Sequence, residues 1–189
     1  MTPQQFALDD WLPDPQIRTH HRRSSAADPD TLWTAATSVR LDQTRTIGRL
    51  VRWRIPGVPA DQSFVGLLEE DPFIVLETGE RYSISGLCGR IWTLARDYPK
   101  LESPAAFRAW DEPRTVRVLF AHWVQREPDG RSTLVSEARV APTDRVAAMR
   151  LRSLWLVVGP FERLIGAEPL ALAVAGAEAA ATARVQSGT

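Results

Sequence analysis

Residues 142–176 form the longest run of this chain without a strand pattern. Within it Ala147, Leu151, Leu154, Val158, Phe161 and Ile165 recur at spacings of three and four, which gathers them on one face of an α-helix. A continuous helix of roughly 30 residues is about 45 Å long, more than a small domain needs for ordinary helix packing. Such a stripe requires a broad apolar partner. Almost everything before it reads as short strands and turns, so the expected architecture is α+β: one curved antiparallel sheet wrapped around a long C-terminal helix.

Composition bounds the alternatives. With 189 residues, 44% hydrophobic and 24% charged, the chain suits one domain with a real core rather than two. Its 23 basic and 23 acidic residues cancel and no block of like charge stands out, which points to neither nucleic acid nor an anionic membrane as a partner. Cys88 is alone, so there is no disulfide framework and no thiolate metal cluster. The N-terminus lacks the basic-then-apolar pattern of a signal peptide, and no apolar run reaches the ~18 residues of a membrane span. A cytoplasmic protein is therefore expected.

Taken in order, residues 1–15 read as an N-terminal arm, and residues 17–26 as a first strand at a sheet edge. Asp28-Pro29 is a helix start, since Asp caps free N–H groups and Pro is tolerated in the first turn, with Leu32, Trp33 and Ala36 on the buried face. A second short helix spans residues 46–54 and ends at Pro56-Gly57-Val58-Pro59. Residues 64–68, 73–78 and 82–92 read as strands, with Gly86 and Gly89 marking a bend. Ser103-Pro104 opens a short helix whose face is Ala106, Phe107 and Trp110.

Residues 114–126 and 131–141 flank Glu127-Pro128-Asp129-Gly130 and read as a hairpin. A turn centred on Asp129 puts Val118, Phe120, His122 and Val124 on one face with Leu134, Ser136, Ala138 and Val140. The opposite face then holds Arg117, Trp123, Glu137 and Arg139 as a solvated charge ladder. A slip of one residue exchanges the two faces and turns Arg139 inward as an anchor for a ligand carboxylate. In the long helix a kink is expected at Pro160. The domain proper is set at residues 16–176, with 177–189 as a disordered Ala-rich tail.

The chain resembles the START-like superfamily, also called SRPBCC or Bet v 1-like, in its uncharacterised polyketide cyclase-related branch. The carrying stretches are Asp28-Pro29 with Leu32-Trp33, Arg54-Ile55-Pro56-Gly57, and Gly86-Leu87-Cys88-Gly89-Arg90-Ile91-Trp92. They continue in Ser136-Glu137-Ala138-Arg139-Val140 and in Trp155 with Gly159-Pro160-Phe161, so that the likeness covers about residues 17–170. The branch's usual Thr-Glu-Thr-Arg stands here as Ser136-Glu137-Ala138-Arg139, which takes the missing hydroxyl and methyl groups out of any role carried over. The resemblance implies a helix-grip fold, with two short helices after the first strand and a hydrophobic cavity under the long helix. It does not transfer one activity, since that superfamily's activities are varied.

Motifs for nucleotide, zinc or metalloprotease chemistry are absent from the sequence, so no cofactor and no metal are expected. The residues placed around the cavity are Trp92, Phe120, His122, Ser136, Leu151, Trp155 and Val158. Among them His122 is the one candidate for acid–base catalysis, because its ordinary pKa is near neutrality; its plainer role is a core imidazole. His20 and His21 alternate across a strand, so only one can face inward. Cys88 reads as a small buried hydrophobe rather than a nucleophile. Three functions follow as expectations: binding of a hydrophobic or aromatic small molecule, a cyclase or dehydratase acting on a polyketide-like substrate, or an interaction module with a filled core acting through surface Trp11 or Trp110. Oligomeric state is not legible.

Overall fold

The computed structural model describes residues 8–55, 57–93 and 98–187. Its centre is a five-stranded antiparallel sheet of order β1-β5-β4-β3-β2. The strands are β1 (Ile17–Ser25), β2 (Ile74–Gly79), β3 (Tyr82–Gly89), β4 (Val116–Arg126) and β5 (Ser132–Pro142). Among the described residues six α-helices and a 3-10 turn at Leu41–Gln43 accompany it: α1 (Leu8–Trp11), α2 (Pro29–Ser38), α3 (Ile47–Arg54), α4 (Phe64–Leu67), α5 (Pro104–Arg108) and α6 (Arg145–Ser187). The result is the expected helix-grip arrangement: a curved antiparallel sheet, short helices after the edge strand β1, and a long last helix.

Local chemistry sets these boundaries. Asp28 accepts from the Thr31 amide at 2.9 Å and caps α2; Asp144 accepts from the Ala147 amide at 2.7 Å at the start of α6. Residues 64–68, expected as a strand, instead form one helical turn, because the Ser63 hydroxyl accepts from the Gly66 amide at 3.0 Å. A short apolar run does not distinguish a strand from a buried turn. β3 stops at Gly89, whose φ of +138° leaves the ladder. Gly86 marks a close approach rather than a bend, since a Cβ there would lie 2.7 Å from the Phe107 ring of α5.

The β4–β5 register is the one read from the hairpin: Val118 opposes Val140, Phe120 opposes Ala138, His122 opposes Ser136, and Val124 opposes Leu134. The opposite face is not solvated. There Leu8, Trp11 and Leu12 of the N-terminal segment and Phe107 of α5 close over Ile84, Cys88, Leu119 and Ala121 in a second core. Glu137 and Arg139 lie beneath this cover at 2% and 4% exposure. Arg139 Nε donates to Glu137 at 2.6 Å, and Arg18 Nε lies 2.8 Å from the same carboxylate. Arg139 Nη1 reaches Asp9 at 2.6 Å and the Leu12 carbonyl at 3.0 Å. The expected exterior ladder is thus a buried clasp for α1, hidden by a segment whose apolar residues Leu8, Trp11 and Leu12 keep helical spacing for a single turn only.

α6 has 43 residues, about 65 Å of helix. It runs unbroken through Gly159-Pro160 and continues to Ser187, past the expected boundary at Gly176. Alanine has the highest helix propensity, and this extension is also held in place. Ala173 and Ala177 are buried with Leu32 and Ala36 of α2, Ser25 Oγ donates to Glu178 at 3.2 Å, and Arg184 Nη1 donates to Thr31 Oγ1 at 3.0 Å. Among the described residues no helix is long and apolar enough to cross a membrane.

The clasp has a measurable weight. Glu137→Leu strands the Arg139 guanidinium in a buried site and is expected to cost about 3–5 kcal/mol. Glu127→Gln, which breaks the half-exposed pair to Arg22 at 2.8 Å, should cost less than ~1 kcal/mol. Urea unfolding of both variants checks the difference, and equal losses would reduce the clasp to an ordinary surface pair.

Candidate functional site

Strand alternation assigns the helix-facing side of the sheet in rows. At one end Leu87, Val118, Val140 and Ile17 form a row and are all buried with Leu151 of α6. Toward the hairpin, Val124 and Leu134 are buried with Leu170 and Ala173 of the same helix. Between these two packed ends lie the rows Ser85, Phe120, Ala138, Thr19 and Ser83, His122, Ser136, His21. Their β3 members and His122 are buried, whereas Phe120, Ala138, Thr19, Ser136 and His21 keep partial solvent access. The middle of a covered sheet face is ordinarily its most buried part, so this order is inverted.

Aromatic side chains adjoin the half-open rows at the Val118–Leu151 end. Phe73, Trp92, Tyr98, Phe120 and Trp155 are each partly buried against the Leu87–Val118–Leu151 cluster. Phe73 and Phe120 meet edge to face at 5.8 Å. The Trp92 indole N–H is buried without a hydrogen-bond partner, and the Arg150 guanidinium lies 5.9 Å from its ring. Across from Ser136, His21 packs against Gly166, where a Cβ would collide with the imidazole. His20 points to the other face, so the two histidines do not converge. Among the described residues no group of three or more His, Cys, Asp and Glu could hold a metal ion.

Of the residues placed around a cavity by sequence, Trp92, Phe120, Leu151 and Trp155 come together in one cluster. Ser136 adjoins it through the β4–β5 ladder, and Val158 is half-buried one helical turn beyond Trp155. Phe73 and Tyr98 were missed. Phe73 was read only as the start of a strand, and Tyr98 stands before Pro99 in a segment that carries no periodic signal.

His122 occupies a separate pocket. It is 5% exposed, meets Phe64 edge-on at 5.6 Å, and shares the pocket with Ala36, Val65, Leu134, Pro169, Leu170 and Ala173. The free volume there is about 10 Å³, no more than one water requires. Its Nε2 is buried without a partner, and burial pushes the imidazole down to about 4. A general base works best when its pKa lies near the operating pH, and this imidazole lies well below neutrality. Cys88 is fully buried and its thiol is pushed up to about 12 by burial. Trp11 and Trp110, expected at the surface, are buried and half-buried, with their indoles donating to Glu77 at 3.3 Å and Thr115 at 2.9 Å.

No family model matches the chain, and no curated protein does. Among solved structures, the ZhuI aromatase/cyclase from Streptomyces sp. R1128 is similar over 89% of this chain and 95% of its own, at 13% identity and a TM-score of 0.30. Ara h 8.0201 is similar over 82% and 98%, at 11% identity and a TM-score of 0.25.

The neutral imidazole makes stability depend on pH. In the folded protein His122 binds a proton only near pH 4, whereas in the unfolded chain it does so near 6.5. Stability is therefore fully present above ~6.5 and is lost as pH falls toward 4, by about 3 kcal/mol from this group. Chemical denaturation across that interval should show a shallower decline for His122→Leu than for the native chain. Parallel declines would mean that the imidazole is not held neutral.

Proposed function

We propose that the chain binds a hydrophobic or aromatic small molecule between the middle of the sheet and α6. What carries this reading is the inverted burial: Phe120, Ser136, Ala138 and Thr19 stay half-open between two packed rows. Apolar walls with few polar groups are typical of small-molecule sites. The walls here are Phe73, Phe120, Trp92 and Trp155, with Leu151 closing one end. An oxygen acceptor on the ligand would satisfy the buried Trp92 N–H, whose isolation otherwise costs free energy. The helix-grip arrangement supports the START-like superfamily as the chain's affinity. Binding is favoured over proton transfer, because burial leaves the His122 imidazole too weak a base for work near neutrality, in a pocket too small for a substrate and without a group to orient it.

Ala138→Leu separates a hollow from a filled core. In a packed interior the added atoms force strain costing about 1–3 kcal/mol; in a hollow they should leave the melting temperature unchanged or raise it. N-phenyl-1-naphthylamine is expected to bind the native chain with saturable fluorescence enhancement and to bind this variant at least ~10-fold more weakly, since the new side chain takes the probe's place. No saturable binding by the native chain, together with destabilisation by Ala138→Leu, would replace this reading with the filled interaction module.

A further inference from the structure

The balanced charge of the whole chain conceals a local bias. Between Asp144 and Glu162 there is no acidic residue, but Arg145, Arg150 and Arg152 are present and exposed. The same turns of α6 expose Leu156 at 82%, Val157 at 68%, Met149 at 61% and Val146 at 39%. α3 repeats the pattern, with Leu50 and Trp53 exposed beside Arg49 and Arg52 and no acidic residue between Asp42 and Asp61. Among the described residues, every exposed large hydrophobic falls in one of these two stretches. The helices are tied together: Glu168 of α6 accepts from the amides of Arg45 at 2.5 Å and Thr46 at 3.1 Å at the entry to α3.

Scattered exposed leucines need no explanation, but a concentrated apolar patch marks an interaction surface. At helical spacing Met149, Arg152, Ser153 and Leu156 share one outward face, flanked by Arg145, Val146 and Val157. Among the described residues neither Arg145 nor Arg152 joins an ion pair. We infer that this face of α6, from Arg145 to Val157, docks on an anionic lipid surface. Leu156, Val157 and Met149 enter the boundary between headgroups and acyl chains, and the arginines extend along it to lipid phosphates. The charge selects this occupant. A second copy of the same face would set arginines against arginines, and an uncharged groove would leave them uncompensated. Because no described helix crosses a bilayer, the contact lies parallel to the surface.

Cosedimentation tests the inference with vesicles of phosphatidylcholine alone and with phosphatidylglycerol added. The native chain should bind the anionic vesicles, and less so as salt shortens the Debye length from ~10 Å at 0.1 M to ~3 Å at 1 M. Leu156→Gln with Val157→Gln should abolish binding while the far-ultraviolet dichroism and melting temperature stay unchanged. Arg145→Gln with Arg152→Gln should weaken it about 30-fold, a factor of roughly five for each arginine. Equal binding to both vesicle types, or undiminished binding by the Leu156/Val157 variant, overturns the inference. So does a concentration-dependent dimer, or binding to an acidic protein alone, that the same variant abolishes without any vesicle binding.

Discussion

A β-strand sends alternate side chains to opposite faces, and in β4 and β5 neither set can be left to water. One face carries Val118, Phe120, Leu134 and Val140; the other carries Leu119, Ala121, Val135 and the pair Glu137–Arg139. The sheet must therefore be covered twice. α6 covers the first face, and the N-terminal segment with α5 covers the second. Glu137 and Arg139 tie the second cover down: in the low-dielectric interior each charge is tolerable only while its partners remain, and Asp9 and the Leu12 carbonyl belong to the segment that hides them.

With the outer face sealed, the inner face is free to be uneven. α6 buries apolar side chains against the sheet at two places, Leu151 on the Val118–Val140 row and Leu170 with Ala173 on the Val124–Leu134 row, and between them Gly166 packs against His21 of the edge strand. Bulky aromatic side chains gather at the Leu151 end of this span, and between the two contacts Ser136 and Ala138 of β5 are small and only partly buried. The half-open rows are thus a consequence of residue sizes along β5: Leu134, Ser136, Ala138, Val140.

That much was legible in the residues. The helical stripe from Ala147 to Val158 demanded a broad partner and the Glu127-Pro128-Asp129-Gly130 turn set the β4–β5 register; Trp92, Phe120, Leu151 and Trp155, read as lining a cavity, fall in one cluster. The outer cover was not legible, because Leu8, Trp11 and Leu12 give one turn of helical spacing and no more, and Glu137 and Arg139 look solvated wherever a strand alternates with apolar neighbours. Neither was the helix beyond Gly176: an Ala-rich run without a strong stripe reads as a tail unless the contacts of Ala177, Glu178 and Arg184 with α2 and its approach are known. His122 was assigned to the right face and the wrong pocket, because a face is set by alternation while a pocket depends on α4, whose helical turn was read as a strand.

The central claim is that the middle of the covered face is open. Cys88 provides an internal standard, being fully buried with its thiol pushed up to about 12. In the variant Ser136→Cys, the thiol at position 136 should react with N-ethylmaleimide under native conditions while Cys88 stays unmodified. A thiol at position 136 as inert as Cys88 would contradict the account.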